Sequence, residues 1–140
     1  MPTERSAGAI IFRKEKGNIY YLVLHYELGH WDFIKGRIEN DESLKQAVIR
    51  ETKEETNIDD LKFVDRFEEK IEYFFKRDSK TFFKTVIFFL AETKTKEIKL
   101  SDEHIDFKWL DYEEALKQLT FNNAKNILEK ANDFLNPKRI

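Results

Sequence analysis

Apolar and polar positions change period several times along this chain. Ala7–Phe12 ("AGAIIF") is a short apolar run and Ile19–Tyr26 ("IYYLVLHY") a second, with turn residues Lys14–Asn18 between them. That pattern predicts two strands joined as a hairpin. His30–Gly36 ("HWDFIKG") reads as a short extended piece ending on glycine. Leu61–Phe75 alternates in places and predicts a long strand. Lys76–Lys80 predicts a turn, Thr81–Thr93 an apolar β-rich strand, and Ile105–Leu110 a further strand. Helical spacing enters at three places. One is the stretch after Gly36. The next is Tyr112–Leu119, opened by Asp111 and Glu114 at capping-box spacing. The last carries Ala124, Ile127, Leu128, Ala131 and Leu135 on one face. The order is β-β-β-α, a block of strands, then α-α. This is an α+β pattern, a mixed sheet with helices packed on its faces. No linker or repeat interrupts it, so one domain is expected over residues 1–140, its body running from Ala7 to about Leu135.

The first helix, within "GRIENDESLKQAVIRETKEETNI" (Gly36–Ile58), carries acids where apolar residues belong. Asp41 or Ser43 is placed to cap it, Ser43 and Gln46 having capping-box spacing. On a wheel starting at Leu44, Val48 falls at roughly 40° and Ala47 at roughly 300°, which defines the buried stripe. Glu51 at roughly 340° and Glu55 at roughly 20° fall inside it, with Glu54 at its edge and Arg50 one step further round. Lys45, Ile49 and Lys53 take the outer side. Like-charged acids turned inward at the negative end of a helix dipole repel each other and lose hydration. Arg50 can pair with Glu54 at i,i+4, but one guanidinium does not balance three acids. Hard oxygen ligands on a rigid helix suit Mg²⁺ or Mn²⁺. A solvated acidic face is the other reading of the run.

Composition narrows the chemistry. Cysteine is absent, which removes disulfides, thiolate nucleophiles and cysteine-ligated zinc. A cytoplasmic protein is expected. The net charge of −2 speaks against a broad electrostatic grip on nucleic acid. "MPTERSAGAIIF" lacks the length and cleavage pattern of a signal peptide, and the longest apolar run, Val86–Ala91, falls far short of a membrane span. Thirteen phenylalanines point to an aromatic-rich core.

The spacing of Gly36, Glu42, Arg50, Glu51, Glu54, Glu55 and Ile58 resembles the Nudix box, G-x5-E-x7-R-E-U-x-E-E-x-G-U, where U is aliphatic. Thr52 stands at an aliphatic position, and Asn57 at a glycine position that wants a left-handed backbone, which Asn tolerates next best. The resemblance implies the Nudix α/β/α sandwich and a hydrolase of nucleoside diphosphates linked to another group, working with divalent metal. It further implies that Glu51 and Glu55 are the main metal ligands and Glu54 a ligand or base. The Gly36 carbonyl would join the shell, and Arg50 and Glu42 would orient the acids.

The flanking "SAGAIIF", "HWDFIKGRIE", "KTVIFFLAE" and "LSDEHIDFKWLDYEEA" are similar to the animal and archaeal asymmetrical diadenosine tetraphosphate hydrolases, over Ser6 to about Leu135. Ile34 replaces the proline usual before the Lys-Gly pair, Asn40-Asp41 replaces the usual Pro-Gly turn inside the box, and a few extra residues lie between Tyr73 and Lys84. On this resemblance Glu103, in "SDEH", reaches the metal site from the opposite side, the alternative being a polar loop residue. His104 is read as a structural hydrogen-bonder. Lys35 and, more weakly, Lys84 are phosphate candidates. Tyr73 and Phe121 are candidates to stack a base, core packing being their other reading, and Trp31 is read as packing.

The implied reaction is in-line attack of water on a phosphorus, with Glu54 or Glu103 as base, giving ATP and AMP from diadenosine tetraphosphate. A monomer acting on a small nucleotide is expected. Two other readings remain open. One is a pyrophosphohydrolase of RNA 5′ ends or of modified nucleoside triphosphates; the other is a non-catalytic nucleotide-binding module.

Overall fold

The computed structural model of the chain describes residues 1–137; the last three positions of the expected 1–140 domain lie outside them. Seven strands form one mixed sheet: β1 (Thr3–Glu15), β2 (Asn18–Tyr26), β3 (Trp31–Asp32), β4 (Ile34–Arg37), β5 (Lys62–Arg77), β6 (Lys80–Glu92) and β7 (His104–Leu110). Three helices accompany them: α1 (Leu44–Thr56), α2 (Tyr112–Gln118) and α3 (Asn122–Leu135).

Strand β1 organises the sheet. One edge runs parallel to β6 from Thr3 to Phe12. The other edge is divided: Ser6–Ala9 pair antiparallel with β4, and Phe12–Glu15 pair antiparallel with β2. The sheet forks where β1 changes partner, and β4 delivers Lys35 and Gly36 at that fork.

Because side chains alternate across a strand, β1 feeds two cores. Ile10 and Phe12 pack with Val86, Phe88 and Leu90 under α2 and α3, through Ala115, Ala124, Ile127 and Leu128. Ala7, Ala9 and Ile11 pack with Ile87 and Phe89 under α1, through Ala47 and Val48. A helix layer thus covers each face, the expected α/β/α sandwich. None of the described helices is long and apolar enough to cross a membrane.

Helix α1 is fixed at both ends. Ser43 accepts from the Gln46 amide at 3.1 Å, and the Gln46 side chain accepts from the Ser43 amide at 2.8 Å, which completes a capping box. Asp41, the other expected cap, instead sits in the preceding turn with φ 66°. At the far end Asn57 adopts the left-handed conformation, φ 64°, and its amide bonds the Lys53 carbonyl at 3.0 Å. Helix α2 realises half of its expected box: Asp111 accepts from the Glu114 amide at 2.9 Å, and no return bond from the Glu114 side chain is seen among the described residues.

The turn expected over Lys76–Lys80 is shorter than its composition suggests. Lys76 pairs with Thr81 and Arg77 with Lys80, leaving Asp78–Ser79 as a two-residue turn with both φ positive, at 51° and 67°. Such a turn matches strand twist, and the pairs Phe74–Phe83 and Phe75–Phe82 extend the ladder to reach it. Apart from Asp78–Ser79, the residues between Tyr73 and Lys84 are therefore strand, and Tyr73 and Lys84 face each other across the ladder.

Candidate active site

The inward stripe of α1 follows the wheel at Ala47, Val48 and Glu55, but it lies turned toward Thr52 and Thr56, which leaves Leu44 and Glu51 only half-buried. Ala47, Val48, Thr52, Glu55 and Thr56 are buried, while Glu54 remains 55% exposed at the stripe's edge. Carboxylate oxygens of Glu51, Glu54 and Glu55 all lie within 4.8 Å of one another. Against this cluster the backbone of β4 comes so close that a Cβ at Gly36 would overlap the Glu51 carboxyl group. Glycine is needed here for approach, not for an unusual dihedral.

Arg50 anchors the acids from outside. Its Nε donates to Glu42 at 2.7 Å and its terminal nitrogen to the other Glu42 oxygen at 3.1 Å, a bidentate pair. It also donates to Glu51 at 2.8 Å and to the Arg37 carbonyl at 2.9 Å. The i,i+4 contact with Glu54 is the longer one, 3.4 Å. Arg50 thus joins the loop before α1 to the acids of its last turns, and Glu42 rather than Glu54 is its main partner.

Glu55, 7% exposed, is held from the other side. Ser101 donates a hydrogen bond to it, and His104 Nδ1 lies 3.1 Å from the same carboxylate. Neither His104 nitrogen has an aligned hydrogen-bond partner among the described residues. Burial pushes the His104 pKa down, with the charge of Glu103 opposing. Burial raises the Glu55 carboxyl, the Ser101 bond opposes this, and the charge of Glu103 adds to it. Burial likewise raises Glu51, with Arg50 opposing and Glu54 and Glu103 adding. Ionised together, these acids lack sufficient positive charge of their own. Hard, clustered carboxylates beside the Gly36 backbone fit a divalent cation.

Two cavities meet at this place. One, of about 300 Å³, is lined by Ser6, Lys35, Gly36, Arg37, Glu51, Lys84 and Glu103. Glu103 therefore faces Glu51 across it, although it is not one of the three clustered acids. The other, of about 410 Å³, is lined by Asp32, Lys35, Ile71, Tyr73, Phe74, Phe75, Phe121 and Asn122–Ala124. Tyr73 and Phe121 thus border the same space, Phe121 being 51% exposed and so not core. Lys35 belongs to both cavities.

The Lys35 ammonium donates to Asp32 at 3.0 Å and to the Tyr73 hydroxyl at 3.3 Å. Burial disfavours its charge, but Asp32 and Tyr73 outweigh burial and its pKa is raised. Lys84 is the opposite case: burial, then the charge of Lys35, lowers it. Two ammonium groups so placed favour an anion in the smaller cavity. Trp31 stacks on His25 at 4.4 Å and packs against the core, as expected of it. Ser101 and Asp32 were not signalled by the sequence. Ser101 meets Glu55 only through tertiary approach, and the Asp32–Lys35 spacing means nothing in an extended segment until the fold turns both inward.

A NUDIX domain profile matches residues 2–131. The chain is 34% identical to the asymmetrical bis(5′-nucleosyl)-tetraphosphatase of Mus musculus, over 94% of this chain and 95% of that protein. It is equally similar to the enzyme of that name from Caenorhabditis elegans, over 94% and 96%. The crystal structure of a C. elegans Ap4A hydrolase binary complex superposes with a TM-score of 0.83 at 34% identity, covering 94% of this chain and 97% of that one. With its box acids gathered at the fork of a mixed sheet between two helix layers, this chain belongs to the Nudix family.

Proposed function

We propose that this protein is a metal-dependent hydrolase of dinucleoside polyphosphates that cleaves diadenosine tetraphosphate asymmetrically, to ATP and AMP. One observation carries the reading: Lys35 joins an acid-lined cavity to an aromatic one. A base bordered by Tyr73 and Phe121 would place its phosphates past Lys35 and Lys84, beside Glu51 and Glu103. In this assignment Glu51, Glu54, Glu55, Glu103 and the Gly36 carbonyl hold Mg²⁺ or Mn²⁺. When bound, the metal neutralises phosphate charge and lowers the pKa of coordinated water. Lys35 and Lys84 hold phosphate oxygens. Glu54 or Glu103 takes the proton of the attacking water, which adds to a phosphorus in line as a nucleotide leaves. Arg50 acts on these groups through Glu42 and Glu51. A single catalytic domain working as a cytoplasmic monomer completes the reading.

The test is a substrate panel with Mg²⁺: diadenosine tetraphosphate, triphosphorylated RNA and free nucleoside triphosphates, with products identified in ¹⁸O-labelled water. Preferred turnover of the dinucleotide, giving labelled ATP or AMP, is expected. Label found only in a pair of ADP molecules, or preference for RNA ends, would refute it. A Glu55→Gln variant with undiminished hydrolysis would refute the metal assignment.

A further inference from the structure

The β5–β6 hairpin continues past the Tyr73–Lys84 pair, and what it carries there is not core. Helix α3 crosses β5 with its C-terminal end at Phe67, whose ring lies 5.5 Å from that of Phe134, and its first residues beside Tyr73. The hairpin tip therefore projects beyond the start of that helix. Residues paired across an antiparallel ladder share a face, and alternate residues return to it. One face of the tip thus presents Tyr73, Phe75 and Arg77 from β5, opposite Lys84, Phe82 and Lys80 from β6. Tyr73 and one side of Phe75 border the aromatic cavity and Lys84 the acid-lined one, so this face is continuous with the site already described, with Phe75 as the wall between that cavity and the Phe82–Arg77 side of the hairpin.

Phe75 and Phe82 stack on each other, 5.2 Å between centroids and 16° between planes. The Arg77 guanidinium lies over both rings, at 5.1 and 5.2 Å, and the Lys84 ammonium is 5.9 Å from Phe75. Both rings are half-buried, and Arg77 and Lys80 are exposed. Glu4, the acid against this face, is already paired with Arg37 and, at 3.3 Å, with Arg77. A stacked aromatic pair flanked by cations, in an acidic protein, is the composition that holds unpaired nucleotides. It also lies next to the phosphate path: two residues along a strand separate the Phe75–Phe82 row from the Tyr73–Lys84 row by roughly 7 Å.

We propose that Phe75, Phe82 and Arg77 form a second base-stacking subsite, which takes the distal nucleoside of a dinucleoside polyphosphate. The inference rests on the functional reading above. One base sits between Tyr73 and Phe121, the phosphates bend past Lys35 into the acid-lined cavity, and the chain leaves past Lys84 onto the hairpin face. Arg77 can then stay on the ring pair or turn to the distal phosphate.

The experiment compares KM for diadenosine tetraphosphate with KM for adenosine 5′-tetraphosphate, which has the same phosphates and no distal nucleoside, using the intact protein with Mg²⁺. The Phe75→Ala/Phe82→Ala variant is expected to raise the ratio of the two KM values about tenfold, the scale of one lost base stack. Phe82→Tyr, which keeps the ring, is expected to leave the ratio at its wild-type value. An equal rise for both compounds would mean that the hairpin merely supports Tyr73 and Lys84, and would overturn the proposal. A wild-type dimer that the double variant abolishes on sedimentation would overturn it too, as a contact between copies. Ring-dependent KM for triphosphorylated RNA but not for the dinucleotide would reassign the face to a nucleic-acid strand. Wild-type protein that turns over neither mononucleoside nor dinucleoside tetraphosphate would overturn the functional reading itself. Wild-type turnover of both, with an unchanged ratio in the variant, would overturn the subsite alone.

Discussion

Gly36 and the Glu51 carboxyl group touch so closely that even a methyl at position 36 would overlap it. The contact lies between strand β4 and the last turns of α1, so extra volume must move the acid. Gly36→Ala is expected to lower kcat/KM about 100-fold, the scale of a 1 Å misplacement in a catalytic array. Steady-state kinetics and Mg²⁺ titration of the variant would check this; unchanged values for both would show that the contact is slack.

Arg50 makes a bidentate pair with Glu42 while also reaching Glu51 and the Arg37 carbonyl. A lysine ammonium cannot span that fork. Arg50→Lys is therefore expected to weaken Mg²⁺ binding about 10- to 100-fold, as lost outer-shell partners commonly do. Restoration of affinity by a conservative partner change at Glu42 is not expected, since the planar geometry is what is lost.

Metal affinity should depend on pH in a fixed direction. Burial raises both the Glu51 and Glu55 carboxyls above their ordinary value. Between the ordinary and the raised values the folded protein holds more protons than the unfolded chain. Rising pH therefore removes stability from the metal-free protein across that window. A bound cation offsets the repulsion and displaces those protons. Mg²⁺ affinity is expected to increase through the window and level off above it. Thermal unfolding with and without Mg²⁺ across pH, and calorimetry in buffers of different ionisation heat, would measure the two effects.

Asn57 ends α1 with φ 64° and accepts a hydrogen bond from Lys53 at 3.0 Å. A β-branched residue is strained in that conformation. Asn57→Val is expected to cost about 1–2 kcal/mol in urea unfolding, whereas Asn57→Gly should stay near wild type.

The acids of α1 were legible in the sequence because helical period is local: Leu44, Ala47 and Val48 fix the stripe, and Glu51 and Glu55 follow from it by arithmetic. The apolar runs of β1 and β6 likewise signal buried strands. The rest depended on tertiary approach. Ser101 reaches Glu55 from 46 residues away, on a segment with no period of its own. Lys76–Lys80 has the composition of a turn, and only the cross-strand phenylalanines on either side decide that it is mostly ladder. In β5, Arg66 adopts φ 72° within the irregular stretch between Phe63 and Glu68, without a glycine to announce it.

The two locked ends of α1 have a further consequence. Ser43 and Gln46 set where the helix begins, and Asn57 sets where it turns away. Adding or deleting one residue between them would rotate everything beyond it by about 100° and carry at least one carboxylate out of the cavity. Helix α1 therefore acts as a ruler. Individual side chains along its outer face are open to change, but its length is not.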